Sequence, residues 1–326
     1  MLNERRGVGR NVRGSDYSRL VIPERLESVH RPARPVDVRQ VVGVQQRGPG
    51  DPTQTHHLGV IWRAARTPLG AATIALRQGA DGSVRIAAWG PGREWAVAQA
   101  PALCGAFDDD EGFDPTRHPL VADAHHRHPR LRIGRTDGVF DALVQSIMEQ
   151  KVTAIQAFAA WRRLVAWFGE RAPGPTPRPM HVPPSIEGWR MIPSWAWHRA
   201  GLEPPQSRTI VEAARRGESL ERTLAACAPE RRDGILTSLP GVGVWTAAET
   251  RVRALGDPDA VAVGDFHLAH QIGYALTGSR VDDDGMLELL EPWAGQRQRA
   301  IRLILASGVS EPRKAPRLHP EDHRAR

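Results

Sequence analysis

The stretch best suited to chemistry is Leu239-Pro240-Gly241-Val242-Gly243-Val244-Trp245-Thr246-Ala247-Ala248. Two glycines around one apolar residue make a tight turn whose backbone can adopt φ > 0 and approach a ligand closely. Ile235, Leu236 and Leu239 recur at helical spacing before the turn, and Trp245, Ala248 and Val252 after it. A glycine turn that opens into a helix directs free N–H groups and the positive end of the helix dipole outward, which is an anion site. Lys+Arg (44) exceed Asp+Glu (37), the formal net charge is +7 and the pI is near 10.4. The anion expected is therefore a DNA phosphate, although charge alone would suit many polyanions. Downstream, Val261-Ala262-Val263-Gly264-Asp265-Phe266-His267-Leu268 places a carboxylate 20 residues after Trp245. Asp265 reads as a helix N-cap, and a carboxylate so placed could also stabilise positive charge developing on a substrate. Lysine occurs only at Lys151 and Lys314, so amine nucleophiles are scarce.

The hairpin and the spaced aspartate resemble the helix-hairpin-helix motif of the base-excision DNA glycosylase superfamily. Within it the chain looks most like the bacterial 3-methyladenine DNA glycosylase II family, over roughly Tyr17 to Gly308 and most strongly from Phe140 onward. The resemblance implies that Asp265 is catalytic: it stabilises the cationic sugar as the N-glycosidic bond breaks, and orients water. Trp245 stands where strand-cleaving members keep a Schiff-base lysine, which implies a monofunctional hydrolase that leaves an intact abasic strand. Its indole would instead attract a positively charged methylpurine by about 0.5–2 kcal/mol, unless it is helix core. Trp293 resembles another pocket tryptophan, or simply anchors a helix start. Trp195, Trp197 and Tyr274 read as core that could also reach the pocket, Tyr274 foremost.

The segment Leu143–Val152 resembles the family helix that ends in a glutamine followed by the residue that wedges into DNA. Gln150 matches, whereas Lys151 departs from the apolar wedge. Either Lys151 inserts its aliphatic stem, or it contacts a phosphate while Gln150 fills the gap left by the flipped base. A solvent-facing helix end is the plainer reading. Leu239, Gly241, Val242, Gly243 and Thr246 would contact DNA through the hairpin, and the resemblance implies a monovalent cation beside it. No cofactor and no resident metal are expected. The partner is double-stranded DNA containing damaged bases, bound by a monomer with no membrane attachment, in the cytoplasm at the nucleoid. Two alternatives stay open, a bifunctional oxidised-base glycosylase/AP lyase of the same superfamily and a non-catalytic helix-hairpin-helix DNA-binding protein.

The elements needed to position these residues give an α+β fold: a small N-terminal antiparallel sheet domain with helices, then an all-helical helix-hairpin-helix domain. Residues 1–16 read as a disordered basic tail, 17–130 as the sheet domain, 131–310 as the helical domain with the hairpin at about 231–254, and 311–326 as a basic tail. Strands are expected at Leu58–Ala64, Ala71–Leu76 and Val84–Trp89, separated by turn signals at Thr67–Gly70 and Gly79–Gly82. Asp37 caps a helix through Val38, Val41 and Val42. Phe140, Leu143, Val144, Ile147 and Met148 form one amphipathic stripe and Phe158, Trp161, Val165 and Phe168 a second, stopped at Gly169. Six prolines between 172 and 185 enforce an extended loop. Residues 108–136 read as loop, where His118, His125, His126 and His128 match no common zinc spacing. Cys104 and Cys227 stand alone, no apolar run reaches membrane length, and the Arg-rich start is no signal peptide.

Overall fold

The computed structural model describes residues 24–311. The tail expected at 1–16, nearly all of that at 311–326, and Lys314 lie outside the described residues. Five strands form one antiparallel sheet: β1 (Arg25–His30), β2 (Gln54–His57), β3 (Val60–Thr67), β4 (Gly70–Gln78) and β5 (Val84–Trp89), in the order β1-β5-β4-β3-β2. The sequence reading found only the three inner strands. β1 and β2 are edge strands, mostly exposed, and so lack the apolar alternation that marks a strand. Leu58, expected to begin a strand, sits at the β2–β3 turn with Gly59, both at positive φ.

Alternate residues along a strand face opposite sides, and here each side has its own cover. Ile61, Ile74, Leu76 and Ile86 pack against α1 (Val38–Gly43) and α2 (Arg93–Leu103), and the Asp37 side chain caps α1 by accepting from Gln40 N at 3.0 Å. Ala64 and Ala71 pack on the other side against Met180 and Val182. The proline-rich stretch is thus not loop throughout, because it runs into a ribbon of β6 (Glu170–Arg171) and β7 (His181–Val182).

Residues 119–127, expected as loop, form α3 (Pro119–Arg127). His118 caps it, its Nδ1 accepting from Leu120 N at 3.2 Å while its Nε2 lies 3.1 Å from Leu276 O. His128 Nε2 lies 3.2 Å from Ala306 O. Two of the four clustered histidines therefore dock α3 onto the C-terminal helices.

The hairpin belongs to a helical bundle made of α4 (Val139–Met148), α5 (Ala154–Phe168), α6 (Ile186–Met191), α7 (Ser194–Ala200), α8 (Pro204–Arg215), α9 (Gly217–Ala226), α10 (Arg232–Thr237) and α11 (Val244–Thr250). Its core is Phe140, Leu143, Ile147 and Leu164 around a stack of three indoles, Trp161–Trp189 at 6.0 Å and Trp189–Trp197 at 5.9 Å between ring centroids. α11 continues into a single π-helical turn, Arg251–Leu255. A second bundle joins α12 (Leu268–Thr277), α13 (Asp283–Leu290) and α14 (Arg297–Ala306) to α3, through Val121, Ala124, Ile272, Leu290, Ile301 and Ile304. Packing therefore carries α3 across the boundary expected near residue 130. A five-stranded sheet and a two-stranded ribbon, in described residues that are 49% helical, make the fold α+β.

Buried polar contacts weld the sheet layer to the first bundle. Asp51 accepts from Arg47 N at 2.7 Å, Thr53 N at 2.8 Å and Trp161 Nε1 at 3.2 Å, and Arg47 Nε donates to Gln145 Oε1 at 2.8 Å. Beside this weld, between the sheet, α2 and α4, lies a polar cavity of about 580 Å³ counting its mouth, lined by Arg63, Arg66, Gln99, Asp141 and Gln145. It does not include Asp265 or Trp245. Burial first, and Glu221 second, push the Asp141 carboxyl up to about 7, against the pull of Arg63 and Arg66. The folded chain thus holds a proton that the unfolded chain releases, so this contribution to stability is present at low pH and is lost as pH rises from 3.8 to about 7. Asp141→Asn should exceed the native chain in stability at about pH 8, by a ceiling of roughly 4 kcal/mol, and should differ little at about pH 4. Urea midpoints at the two pH values check this, and parallel pH profiles for the two proteins would contradict it.

Candidate active site

The hairpin is built by its own sequence. Leu239-Pro240-Gly241-Val242 closes with Val242 N donating to Leu239 O at 3.0 Å, and Gly241 takes φ +84° in the position where that turn requires it. A Cβ on Gly241 would collide with Thr209 of α8. Gly243 differs. Its backbone is extended (φ −93°, ψ 179°), and a Cβ there would meet nothing within 4 Å. Neither glycine spends its N–H on a hydrogen bond among the described residues, and both are exposed. The turn thus presents bare backbone at the start of α11, as an anion site requires.

Leu239 and Val242, expected to touch DNA, are instead buried in the first bundle's core. Only their backbone can face a ligand. Thr246 is buried as well, and its Oγ1 accepts from Gln150 Nε2 at 2.8 Å. The same Nε2 donates to Gly241 O at 2.9 Å. In the free protein Gln150 therefore ties the end of α4 to the hairpin. Lys151, next to it, is exposed at the tip of the α4–α5 turn with φ +55°.

Asp265 lies where the two bundles meet. Trp245 and Leu268 pack on a small cluster of Ala248, Val252, Ala260 and Ala262 that bridges them. Asp265 Oδ1 accepts from His267 N and Leu268 N, both at 2.9 Å, and so caps the start of α12. Its Oδ2 accepts from Trp245 Nε1 at 3.0 Å. Gly264, at φ +87°, donates its N–H to Asp283 Oδ2 at 3.0 Å and holds the approach to Asp265. Phe266 follows, 75% exposed, its ring edge-on to His267.

The other pocket candidates lie elsewhere. Trp293 is buried in the second bundle's core and donates Nε1 to Asp114 O at 2.8 Å, so it anchors that bundle and does not line a pocket. Tyr274 is half-buried on α12, about 9 Å along the axis from that helix's first residue. Trp197 is core and Trp195 is exposed. The expected rim of indoles reduces to one ring.

One and two turns beyond Trp245 on the same face of its helix come Glu249 and Arg253, paired through Arg253 Nε at 3.1 Å and Nη2 at 2.8 Å. Burial, then Arg253, pushes the nearby Arg302 guanidinium down to about 10, with Asp108 and Glu249 opposing. From sequence these two arginines and Glu249 read as solvated helix surface, whereas the fold pairs Arg253 with Glu249 and brings Arg302 near them.

A half-buried carboxylate thus lies beside an indole, at the seam of two helical bundles and next to a bare glycine hairpin, and the fold that holds them is shared with solved DNA glycosylase structures. Among particular proteins, the structure is similar to a 3-methyladenine DNA glycosylase from Archaeoglobus fulgidus, with a TM-score of 0.72 and 18% identity over 86% of this chain and 97% of that one. It is also similar to an 8-oxoguanine glycosylase/lyase from Clostridium acetobutylicum, with a TM-score of 0.68 and 12% identity over 88% of this chain and 99% of that one. In sequence, 160 residues (48% of this chain) are 32% identical to a probable bifunctional transcriptional activator/DNA repair enzyme AlkA of Mycobacterium tuberculosis. That match spans 30% of the curated relative's length. No protein-family model matches the chain.

The Trp245–Asp265 bond carries a direct test. Trp245→Phe keeps an aromatic ring and removes the only N–H it offers, so unfolding free energy should fall by about 1–3 kcal/mol. Urea titration reads this, and a loss below about 0.5 kcal/mol would show that the bond contributes nothing in solution.

Proposed function

We propose that the protein is a monofunctional DNA glycosylase that hydrolyses the N-glycosidic bond of alkylated purines of the 3-methyladenine type, in base-excision repair. The observation that carries this reading is the double use of Asp265. Oδ1 is committed to the start of α12, whereas Oδ2 accepts one indole N–H among the described residues and has capacity for a further partner. A carboxylate held rigidly in this way can oppose the positive charge that grows on the sugar as the base departs, without reorganising during the reaction. An alkylated purine leaves readily because it already carries positive charge, and Trp245 offers it a π face.

Gly241 and Gly243 would hold the strand through a backbone phosphate, with a monovalent cation completing that contact. Lys151 would enter the duplex or meet a phosphate as the damaged base leaves the stack. The protein would act as a monomer on nucleoid DNA in the cytoplasm. The sheet domain would serve as scaffold, and the helical domain would carry the chemistry. No helix among the described residues is long and apolar enough to cross a membrane. The neighbouring folds include oxidised-base glycosylase/lyases, one of them in complex with double-stranded DNA containing cytosine opposite 8-oxoguanine. A lyase reading gains no support from this site, since Trp245 has no amine to form a Schiff base.

Asparagine caps a helix about as well as aspartate does but lacks the charge. Asp265→Asn should therefore keep the melting temperature within about 4 °C and lose base release from methylated DNA by about 10²-fold or more. Free bases are read by chromatography, and an active, folded Asn variant would leave only a DNA clamp. Borohydride should trap no covalent protein–DNA adduct; a trapped adduct would mark an amine nucleophile and end the monofunctional assignment.

A further inference from the structure

α8 touches both loops that the proposed reaction needs, the α4–α5 turn through Gln206 and the glycine hairpin through Thr209. Gln206, on its first turn, is 5% exposed. Its Oε1 accepts from Glu203 N at 3.0 Å, and its Nε2 donates to two carbonyls at the end of α4, Met148 O at 3.1 Å and Gln150 O at 2.9 Å. The last carbonyls of a helix have no partner within it, so one side-chain amide here supplies what α4 lacks. Three residues along, on the same face of α8, Thr209 packs against Gly241 where a Cβ would stand.

We propose that Gln206 is a positioning residue that sets the Lys151 turn for base eversion, with α8 fixing the separation between that turn and the glycine hairpin. The inference rests on the proposed glycosylase reading. Lys151 takes φ +55°, a conformation that costs a residue with a Cβ roughly 1–2 kcal/mol and persists only where its surroundings impose it. The surroundings here are specific. Gln206 holds the residue before Lys151 by its carbonyl, and the Gln150 side chain crosses to Gly241 O and Thr246 Oγ1. On the far side, Thr153 opens α5 with a capping box to Gln156. Lys151 alone projects from a segment clamped at both ends. α8 is a twelve-residue helix, stiff over this distance, so a shift of one DNA-facing loop would have to carry the other with it.

The experiment is a double-mutant cycle on single-turnover base release from a 7-methylguanine duplex. Gln206→Met keeps the length of the side chain and removes its donors, and should slow release about tenfold. In a Lys151→Gly background φ +55° is no longer strained, and the same change should cost less than about twofold. Replacing Gln206 should change binding to a duplex with a tetrahydrofuran abasic analogue, which needs no base eversion, by less than about twofold within either background. Gln206→Glu keeps the acceptor for Glu203 N, and replaces Gln206→Met in the cycle if the latter is unfolded at the assay temperature. Equal losses in both backgrounds, or an equal loss on the abasic analogue, would overturn the positioning role and leave Gln206 as a packing residue. Native protein that releases no methylpurine overturns the glycosylase reading itself, a separate result seen before any variant is made.

Discussion

Three N–H groups converge on one carboxylate, and two helical bundles meet around it. His267 and Leu268 donate to one oxygen of Asp265, and the Trp245 indole donates to the other from 20 residues upstream. The first pair fixes the carboxylate relative to α12. The indole fixes it relative to α11 and therefore to the hairpin. A rotation of either bundle would lengthen one of these bonds, and charge-assisted hydrogen bonds weaken steeply with poor geometry. The hairpin and the charged side chain are thus held in one frame, as the proposed chemistry on a bound strand would demand.

Arginine does most of the joining elsewhere. Arg299 reaches Asp108 with both terminal nitrogens, at 3.0 and 2.6 Å, and ties the second bundle to the loop after α2. Arg47 lies between Asp51, Gln145 and Glu149, and Arg297 bonds Asp259 through Nε at 2.8 Å. The planar guanidinium can satisfy several acceptors at once, which suits buried interfaces better than an ammonium does. Two of these guanidiniums, Arg47 and Arg299, are buried. At the tip of the α4–α5 turn the exposed cation is a lysine, and beside it the hairpin offers uncharged N–H groups.

How far the sequence could be read depended on whether a signal was local. The inner strands, the capping of α1 by Asp37 and the stripes of α4 and α5 are periodic or nearest-neighbour patterns, and they appear in the fold with small shifts. β1 and β2 escaped because edge strands bury too little to alternate. α3 escaped because its histidines and arginine look like solvent-exposed loop; Pro119 at its first position and His118 as its cap were the signals present. At the site, the turn of Pro240 and Gly241 and the capping geometry of Asp265 were legible. The direction of the Gln150 amide was not, nor was the burial of Thr246 and Trp293.

By itself, the sequence determined an α+β chain with a glycine hairpin, a tryptophan directly behind it and one aspartate 20 residues after that tryptophan. Those facts are backbone conformations and residue chemistries, set within a few positions along the chain. Only the tertiary structure decided that Asp265 divides its two oxygens between a helix start and an indole, that Trp293 is buried in a core away from that carboxylate, and that Gln150 points inward to the hairpin. Each of these depends on which helices pack side by side. Packing is chosen by the summed burial of many distant side chains, and no short window of sequence contains that sum.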